Sequence, residues 1–242
     1  MPRFDAREIG NWEQDVASLA GSLVHEVKNP LSTLNISAQL LLEEMGAPST
    51  PREQRAARRL QVMREEIARI EQIVSSFLQY VRLQRIDGRP LDLNALVGRI
   101  LADNADGLER AGIRVHFHPE EALPKLLGDE ALLRQALLNL LRNAEQAMPE
   151  GGELIVRTRT AGGPAPRIEV EVTDTGVGIS GEQLPKIFRP YVSTKKDGTG
   201  LGLPTVLRIV RLHGGSLRVE SDPGQGSRFI VELPLAAGGG AP

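Results

Sequence analysis

Apolar residues at Val16, Leu19, Leu23, Val27, Leu31 (or Pro30), Leu34, Ala38, Leu41 and Met45 recur in steps of three and four. That spacing predicts a helix with one apolar stripe. The stretch GAPSTP, Gly46 to Pro51, then breaks the chain with glycine and two prolines. A second stripe follows at Leu60, Met63, Ile67, Ile70, Val74, Phe77 and Val81, alternating threes and fours as a heptad does. Each helix would have roughly 33 residues and run about 50 Å. Joined by a short turn they form an antiparallel hairpin, which cannot cover both stripes by itself. A second copy, completing a four-helix bundle across a homodimer, is the simplest cover. Packing of the helical pair against the rest of the chain is the alternative.

The period changes after DGRP, Asp87 to Pro90. The pattern predicts a helix over Leu93–Arg110, a strand over Ile113–His118 and a helix over Asp129–Met148. That last helix is apolar at Leu132, Leu133, Ala136, Leu137, Leu140, Leu141 and Ala144. Strands are expected at Glu153–Thr160 and Arg167–Thr173, a helix near Leu203–Leu212, and closing strands at Ser216–Ser221 and Ser227–Leu233. Strands clustered with helices imply an α+β sandwich, one sheet with helices on one face. The expected division is a helical domain over 1–88, an α+β domain over 89–235 and a tail, AAGGGAP, over 236–242.

Composition narrows the classes. With 40% apolar and 25% charged residues in 242, the chain reads as a soluble protein with a full core. A net charge of -2 argues against a nucleic-acid partner. The Arg-rich run REQRAARRLQVMREE is most simply a solvated helix face. There is no cysteine, hence no disulfide and no thiolate metal site. The first fifteen residues lack the apolar core of a signal peptide, and no run approaches the ~18 apolar residues of a membrane span. A cytoplasmic protein without a direct membrane span is expected.

The segment EVEVTDTGVGISG, Glu169 to Gly181, contains a literal G-x-G-x-x-G after a strand. A dinucleotide-binding loop would continue into a long helix. Here Pro185 and Pro190 fall inside that would-be helix, each costing ~3 kcal/mol or more. No Gly-Lys-Ser/Thr phosphate loop occurs, nor the His-Arg-Asp and Asp-Phe-Gly companions of eukaryotic-type kinases. What remains is one glycine pair, a long irregular lid carrying Lys195 and Lys196, and a second cluster, DGTGLGLP, opening a helix. Asp174 can accept a hydrogen bond from an exocyclic amine, with glycines beside it that let a flat base approach. The N–H groups of the following helix would face phosphates. A glycine-rich surface loop with no ligand remains the plain alternative for either cluster alone. Asn139 and Asn143, i and i+4 on an otherwise apolar helix, shift the balance, since two stacked amides suit Mg²⁺ and phosphate oxygens.

LRQALLNLLRNAEQAM, VTDTGVGIS, IFRPYVSTK and GTGLGL resemble, in order and spacing, the N, G1, F and G2 boxes of bacterial sensor histidine kinases, and SLVHEVKNPLSTL resembles their H box. The late PGQGSRFIVELP resembles that family's final glycine box. The flavour is nearest the nitrogen-regulatory type. The resemblance implies the ATP-binding sandwich shared with DNA gyrase, with ATP and Mg²⁺ as ligands. By position, Asp174 would bind the adenine amine, Gly176 and Gly178 would shape the base pocket, and Asn143 would hold Mg²⁺ with Asn139 beside it. Gly198, Thr199, Gly200, Leu201 and Gly202 would line the phosphates. Phe188 would anchor the lid, from which Lys195 would reach the nucleotide.

The same resemblance makes His25 the phosphoacceptor. Position 25 lies nine residues from both Val16 and Leu34, so at about 100° per residue it faces away from the apolar stripe. An inert surface histidine is the plain alternative. Glu26 can hold one ring nitrogen and fix the tautomer, Asn29 lies one turn on, and Pro30 removes a backbone bond there. A zinc His-Glu-x-x-His motif is excluded because the fifth position is Asn29. His116 and His118 are expected at the surface, and His213 in the capping of a helix end.

The resulting expectation is an ATP-dependent protein-histidine kinase that phosphorylates His25 and passes the group to an aspartate of a response regulator. Only about fifteen residues precede the hairpin, so the sensor is expected in a separate protein or in a longer chain. A regulator phosphatase using Asn29 and a docking module with a relic nucleotide site are the rivals.

Overall fold

The computed structural model describes residues 3–5, 20–82, 86–162, 166–192 and 199–235. The side chains of residues 3–5, 20–26, 28, 72, 76 and 78–82 lie outside that description, as do Val16, Leu19, Lys195, Lys196, Gly198 and the tail. The described residues form two compact units.

One unit is the hairpin of α1 (Ala20–Met45) and α2 (Pro51–Arg82). Its turn ends in a capping box: Glu53 Oε2 accepts from the Thr50 N–H at 3.1 Å while Thr50 Oγ1 accepts from the Glu53 N–H at 3.2 Å. These bonds, with two from Ser49, hold the Glu53 carboxyl below its ordinary pKa. The two predicted stripes divide by sevens. Leu31 and Ala38 are buried, and Leu60, Ile67 and Val74 are half-buried. Val27, Leu34, Leu41, Met63 and Ile70 are exposed, Leu34 to 55% and Met63 to 57%. The hairpin thus uses one half of each stripe internally and leaves the other half open.

The second unit has a six-stranded sheet in the order β1-β7-β8-β6-β5-β3. Its strands are β1 (Arg3–Asp5), β3 (Ile113–Pro119), β5 (Gly152–Ala161), β6 (Arg167–Asp174), β7 (Ser216–Asp222) and β8 (Gly226–Pro234). Only β3 and β5 are parallel; the other pairs are antiparallel. A separate ribbon joins β2 (Arg89–Leu91) to β4 (Leu126–Gly128). The helices are α3 (Leu93–Arg110), α4 (Glu130–Ala147) and α5 (Gly202–Leu212). Asp92 and Asp129 cap α3 and α4, accepting from Ala95 and Leu132. The expected one-layer sheet with helices on one face is what forms. Strands β1, β2 and β4 were not anticipated from the hydrophobic pattern, and residues 3–5, expected to belong with the hairpin, pair with β7 instead.

Along the central strands, alternation divides the two faces. Ile168, Val170 and Val172 of β6, Phe229, Val231 and Leu233 of β8, and Leu217 and Val219 of β7 join the helices in one core. The opposite face is ionic. Glu169 and Glu171 are buried there beneath arginines: Arg218 reaches both Glu169 (3.4 Å) and Glu232, while Arg228 reaches Glu171 and Glu220. Buried carboxylates are tolerable only when so paired.

Candidate functional site

The three apolar columns end, at the same edge of the core face, in polar residues. Asp174 closes β6 and is paired with Ser227 of β8, which is paired in turn with Ser221 of β7. All three are buried. Asp174 Oδ1 accepts from the Gly176 N–H at 2.9 Å and from the Ser227 N–H at 3.2 Å, so backbone donors orient the carboxylate. The glycine loop after it is braced on both sides. The Val177 N–H donates to the Ala147 carbonyl at the end of α4 (3.0 Å), and the Gly224 N–H donates to the Val177 carbonyl (2.7 Å). Gly178 has φ +71°, and a Cβ there would run into the Asp222 carbonyl oxygen; at Gly176 it would strike the Ala147 carbonyl. Neither position has room for a side chain.

Asn139 and Asn143, both half-buried on α4, face the start of α5. Asn139 Nδ2 donates to the Gly202 carbonyl at 3.4 Å, and a Cβ on Gly202 would stand 3.9 Å from Asn143 Nδ2. The helix beginning at Gly202 has no side-chain cap at Leu201. Two amides and a helix N-terminus therefore converge, an arrangement of donors suited to phosphate oxygens. Gly200 is tied to the lid: the Tyr191 N–H donates to its carbonyl at 3.1 Å. Tyr191 carries a φ of 62°, a conformation that costs a non-glycine residue on the order of 1 kcal/mol. Burial raises the pKa of its phenol. The lid's near half, residues 181–191, is a run of turns rather than a helix, anchored by Phe188, which is 2% exposed. This disposes of the dinucleotide-binding geometry. Thr199 is half-buried beside Gly200. Lys195 and Gly198 lie outside the described residues.

In the other unit, His25 and Glu26 fall in α1, with side chains outside the description. Asn29 is exposed. Past Pro30, Thr33 Oγ1 donates to the Asn29 carbonyl (3.1 Å) and Ser37 Oγ to the Thr33 carbonyl (2.8 Å), back-bonds of a kind that let helices bend. His116 and His118 are exposed, as expected. His213 is buried at the end of α5.

Sequence reasoning missed Ser221 and Ser227. Their one visible signal is the alternation Leu217, Val219, Ser221 and Phe229, Ser227, which marks both serines as core-facing positions at strand ends.

The described elements are thus an α-helical hairpin and a one-faced sheet with a carboxylate and facing asparagines at one end. Residues 16–86 match the His Kinase A (phospho-acceptor) domain, and residues 128–237 the histidine kinase-, DNA gyrase B- and HSP90-like ATPases. The chain belongs to the two-component sensor histidine kinases. It is 37% identical over 217 residues to the sensor histidine kinase ZraS of Klebsiella oxytoca, covering 90% of this chain and 46% of that one. It is 33% identical to sporulation kinase C of Bacillus subtilis, covering 90% and 49%. Among solved structures it resembles full-length ShkA in complex with AMPPNP, with 29% identity and a TM-score of 0.70 over 89% of this chain and 45% of that one. It also resembles the mycobacterial sensor histidine kinase MprB, with 31% identity and a TM-score of 0.53 over 61% and 97%. The chain spans about half the length of the curated relatives it matches. Among the described residues no helix is long and apolar enough to cross a membrane.

Proposed function

We propose that this chain is the catalytic core of an ATP-dependent protein-histidine kinase acting on His25. A neutral imidazole nitrogen of His25 attacks the γ-phosphorus, the new N–P bond forms as the bond to the ADP oxygen breaks, and ADP leaves with the electron pair. Glu26, next in sequence, would hold the other ring nitrogen and keep the attacking lone pair available. Asp174 would accept from the adenine amine, Gly176 and Gly178 would bound the base pocket, and Lys195 with the run Gly198 to Gly202 would meet the phosphates. Asn143, with Asn139 beside it, would hold Mg²⁺, whose charge would offset that of the phosphates. Among the described residues no three His, Asp or Glu side chains cluster as a ligand set, so such an ion would rely on amide and phosphate oxygens. The observation that carries the reading is Asp174: a buried carboxylate, oriented by two backbone donors, opening onto a loop with no room for a side chain at Gly176 or Gly178.

The open half-stripes of the hairpin support a homodimer through α1 and α2. Exposed Ile36 (59%) and Leu40 (52%) are off that stripe. They lie about 20° and 60° around the helix from position 25. That face suits a response regulator whose aspartate takes the phosphoryl group. ATP and such a regulator place the reaction in the cytoplasm, with the stimulus supplied by a further sensory domain or protein. Exposed Asn29, one turn beyond His25, supports regulator dephosphorylation as a second activity, with its amide orienting water. Asn29→Ala is then expected to lose that activity and keep autophosphorylation.

The test is γ-labelled ATP with Mg²⁺, wild type beside His25→Ala. Acid-labile, alkali-stable label on the wild type alone is expected. Binding of ATP without labelling in any condition, or no binding at all, would return the docking-module reading.

A further inference from the structure

Ser221 is fully buried, and its hydroxyl is used to capacity. It donates to the Gly226 carbonyl at 2.8 Å, accepts from the Ile179 N–H at 2.8 Å and lies 3.0 Å from Ser227 Oγ. A hydroxyl has one proton and two lone pairs, so with its proton on Gly226 the Ser227 hydroxyl must donate to it. Two separate pieces of chain therefore meet Ser221 at one oxygen: the glycine loop at Ile179, and the start of β8 at Gly226 and Ser227, whose N–H holds Asp174 Oδ1 at 3.2 Å. The start of β8 is tight. Gly226 has φ +87°, and a Cβ on it would run into the Asp174 carbonyl oxygen. The Gly224 N–H bond to the Val177 carbonyl braces the same loop from the turn, and Ser221 adds the contact from β7.

We infer that Ser221 is a positioning residue for base selection, holding the Asp174 carboxylate and the loop facing it at the separation an adenine requires. The inference rests on Asp174 being the acceptor of the base amine. Ser221 would not touch the nucleotide. It sets where Ser227 and Ile179 stand, and through Ser227 it sets the direction of the carboxylate. Loss of its hydroxyl leaves the Ile179 N–H, the Gly226 carbonyl and the Ser227 hydroxyl each short of a partner, and all three can re-pair only by moving. Such a shift weakens the contact with an exocyclic amine while leaving the phosphate end, built from α4 and α5, as it was.

The experiment compares equilibrium binding of Mg·ATP with binding of Mg·purine riboside triphosphate, which lacks the 6-amino group. The wild type is expected to favour ATP by about tenfold, the worth of one hydrogen bond to a charged group. Ser221→Ala is expected to lose most of that preference, with ATP affinity falling about tenfold and the purine analogue changing less than about twofold. Ser221→Thr, which keeps the hydroxyl, should retain the preference. In an Asp174→Asn background Ser221→Ala should cause no further loss of preference, because the group it positions has changed. Equal weakening of both ligands, or an unchanged ratio, overturns the inference in favour of a purely structural serine. Should Ser221→Ala fail to fold, Ser221→Cys replaces it, with the same expected loss and the same overturning outcomes. A wild type that binds both ligands equally overturns the assignment of Asp174 itself, and one that binds neither overturns the nucleotide site.

Discussion

His213 Nε2 accepts a hydrogen bond from the backbone N–H of Asp129 at 3.0 Å, which ties the end of α5 to the N-cap of α4. Its Nδ1 stands 2.8 Å from the Ile209 carbonyl. An accepting Nε2 leaves Nδ1 to carry the proton, so the two contacts together define one neutral tautomer. Because α4 holds Asn139 and Asn143 and α5 begins at Gly202, this histidine helps set the spacing between the two sides of the phosphate end.

His213→Ala leaves the Asp129 N–H and the Ile209 carbonyl without this partner. The expected cost is about 1–3 kcal/mol, or a fall of roughly 2–4 °C in Tm per kcal/mol. Thermal unfolding followed by circular dichroism measures it. His213→Gln, whose amide carries both a donor and an acceptor, is expected to recover part of the loss; equal losses would mean that packing rather than hydrogen bonding holds the site.

The pH dependence should show an acid limb. Burial pushes the Asp129 carboxyl up, but hydrogen bonds from Leu132, Asp87 and Ala131 outweigh it, leaving the pKa below its ordinary value. Glu232 is lowered likewise, burial being outweighed by Ser216, Arg218 and Arg167. A carboxyl depressed in the folded state contributes stability that is present above its unfolded pKa, about 4, and lost as pH falls through the folded value. Stability should therefore hold to about pH 5 and fall below about pH 4. Asp129→Asn and Glu232→Gln should each flatten that fall; an unaltered acid limb in both variants would show that other carboxylates control it.

The edge of β7 is closed by β1, in a register that sets Arg3 opposite Glu220, Phe4 opposite Val219 and Asp5 opposite Arg218. Removal of residues 1–5 should speed amide exchange in Ser216–Asp222 while leaving Arg167–Asp174, which lies between β5 and β8, unchanged. Unchanged exchange in β7 would show that its edge is protected without β1.

Homodimerisation should depend on the open half of each stripe. Leu34→Glu or Met63→Glu places a charge at a position expected to be buried between hairpins, and either should shift the mass by light scattering to that of one chain at micromolar concentration. A dimeric mass in both variants would contradict assembly through these stripes.

Replacing Glu171 by Ala leaves Arg228 with Glu220 alone; its guanidinium pKa is held above the ordinary value chiefly by the hydrogen bond it donates to Glu171. Glu171 is only 5% exposed while the Arg228 side chain is 33% exposed, so loss of this hydrogen-bonded pair is expected to cost about 2 kcal/mol. Chemical denaturation would measure it. A loss under about 1 kcal/mol would mean that Glu220 alone satisfies the arginine.

Periodicity and capping are local, and where they decide an element the sequence alone determined it. Helix α3 spans Leu93–Arg110, the range its pattern predicts, and the predicted ends of α4, Asp129 and Met148, are its two caps. The heptad stripes of α1 and α2 were equally legible, and so were Asp174 at a strand end and the asparagine pair one turn apart on α4. What the sequence could not determine is what depends on pairing between distant segments. Strands β1, β2 and β4 have three residues each, too few for any period to register, and they exist because β7 and one another offer an edge. Which half of each hairpin stripe turns inward was decided by packing of α1 on α2. Asp129 and His213 stand 84 residues apart, Asp174 and Ser227 53, Ile179 and Ser221 42. No local propensity distinguishes Ser221 from any other serine in a strand. Its role appears only when sheet register stacks three strand ends in one row, because hydrogen-bond partners are chosen by tertiary proximity and burial, which the linear order of residues does not contain.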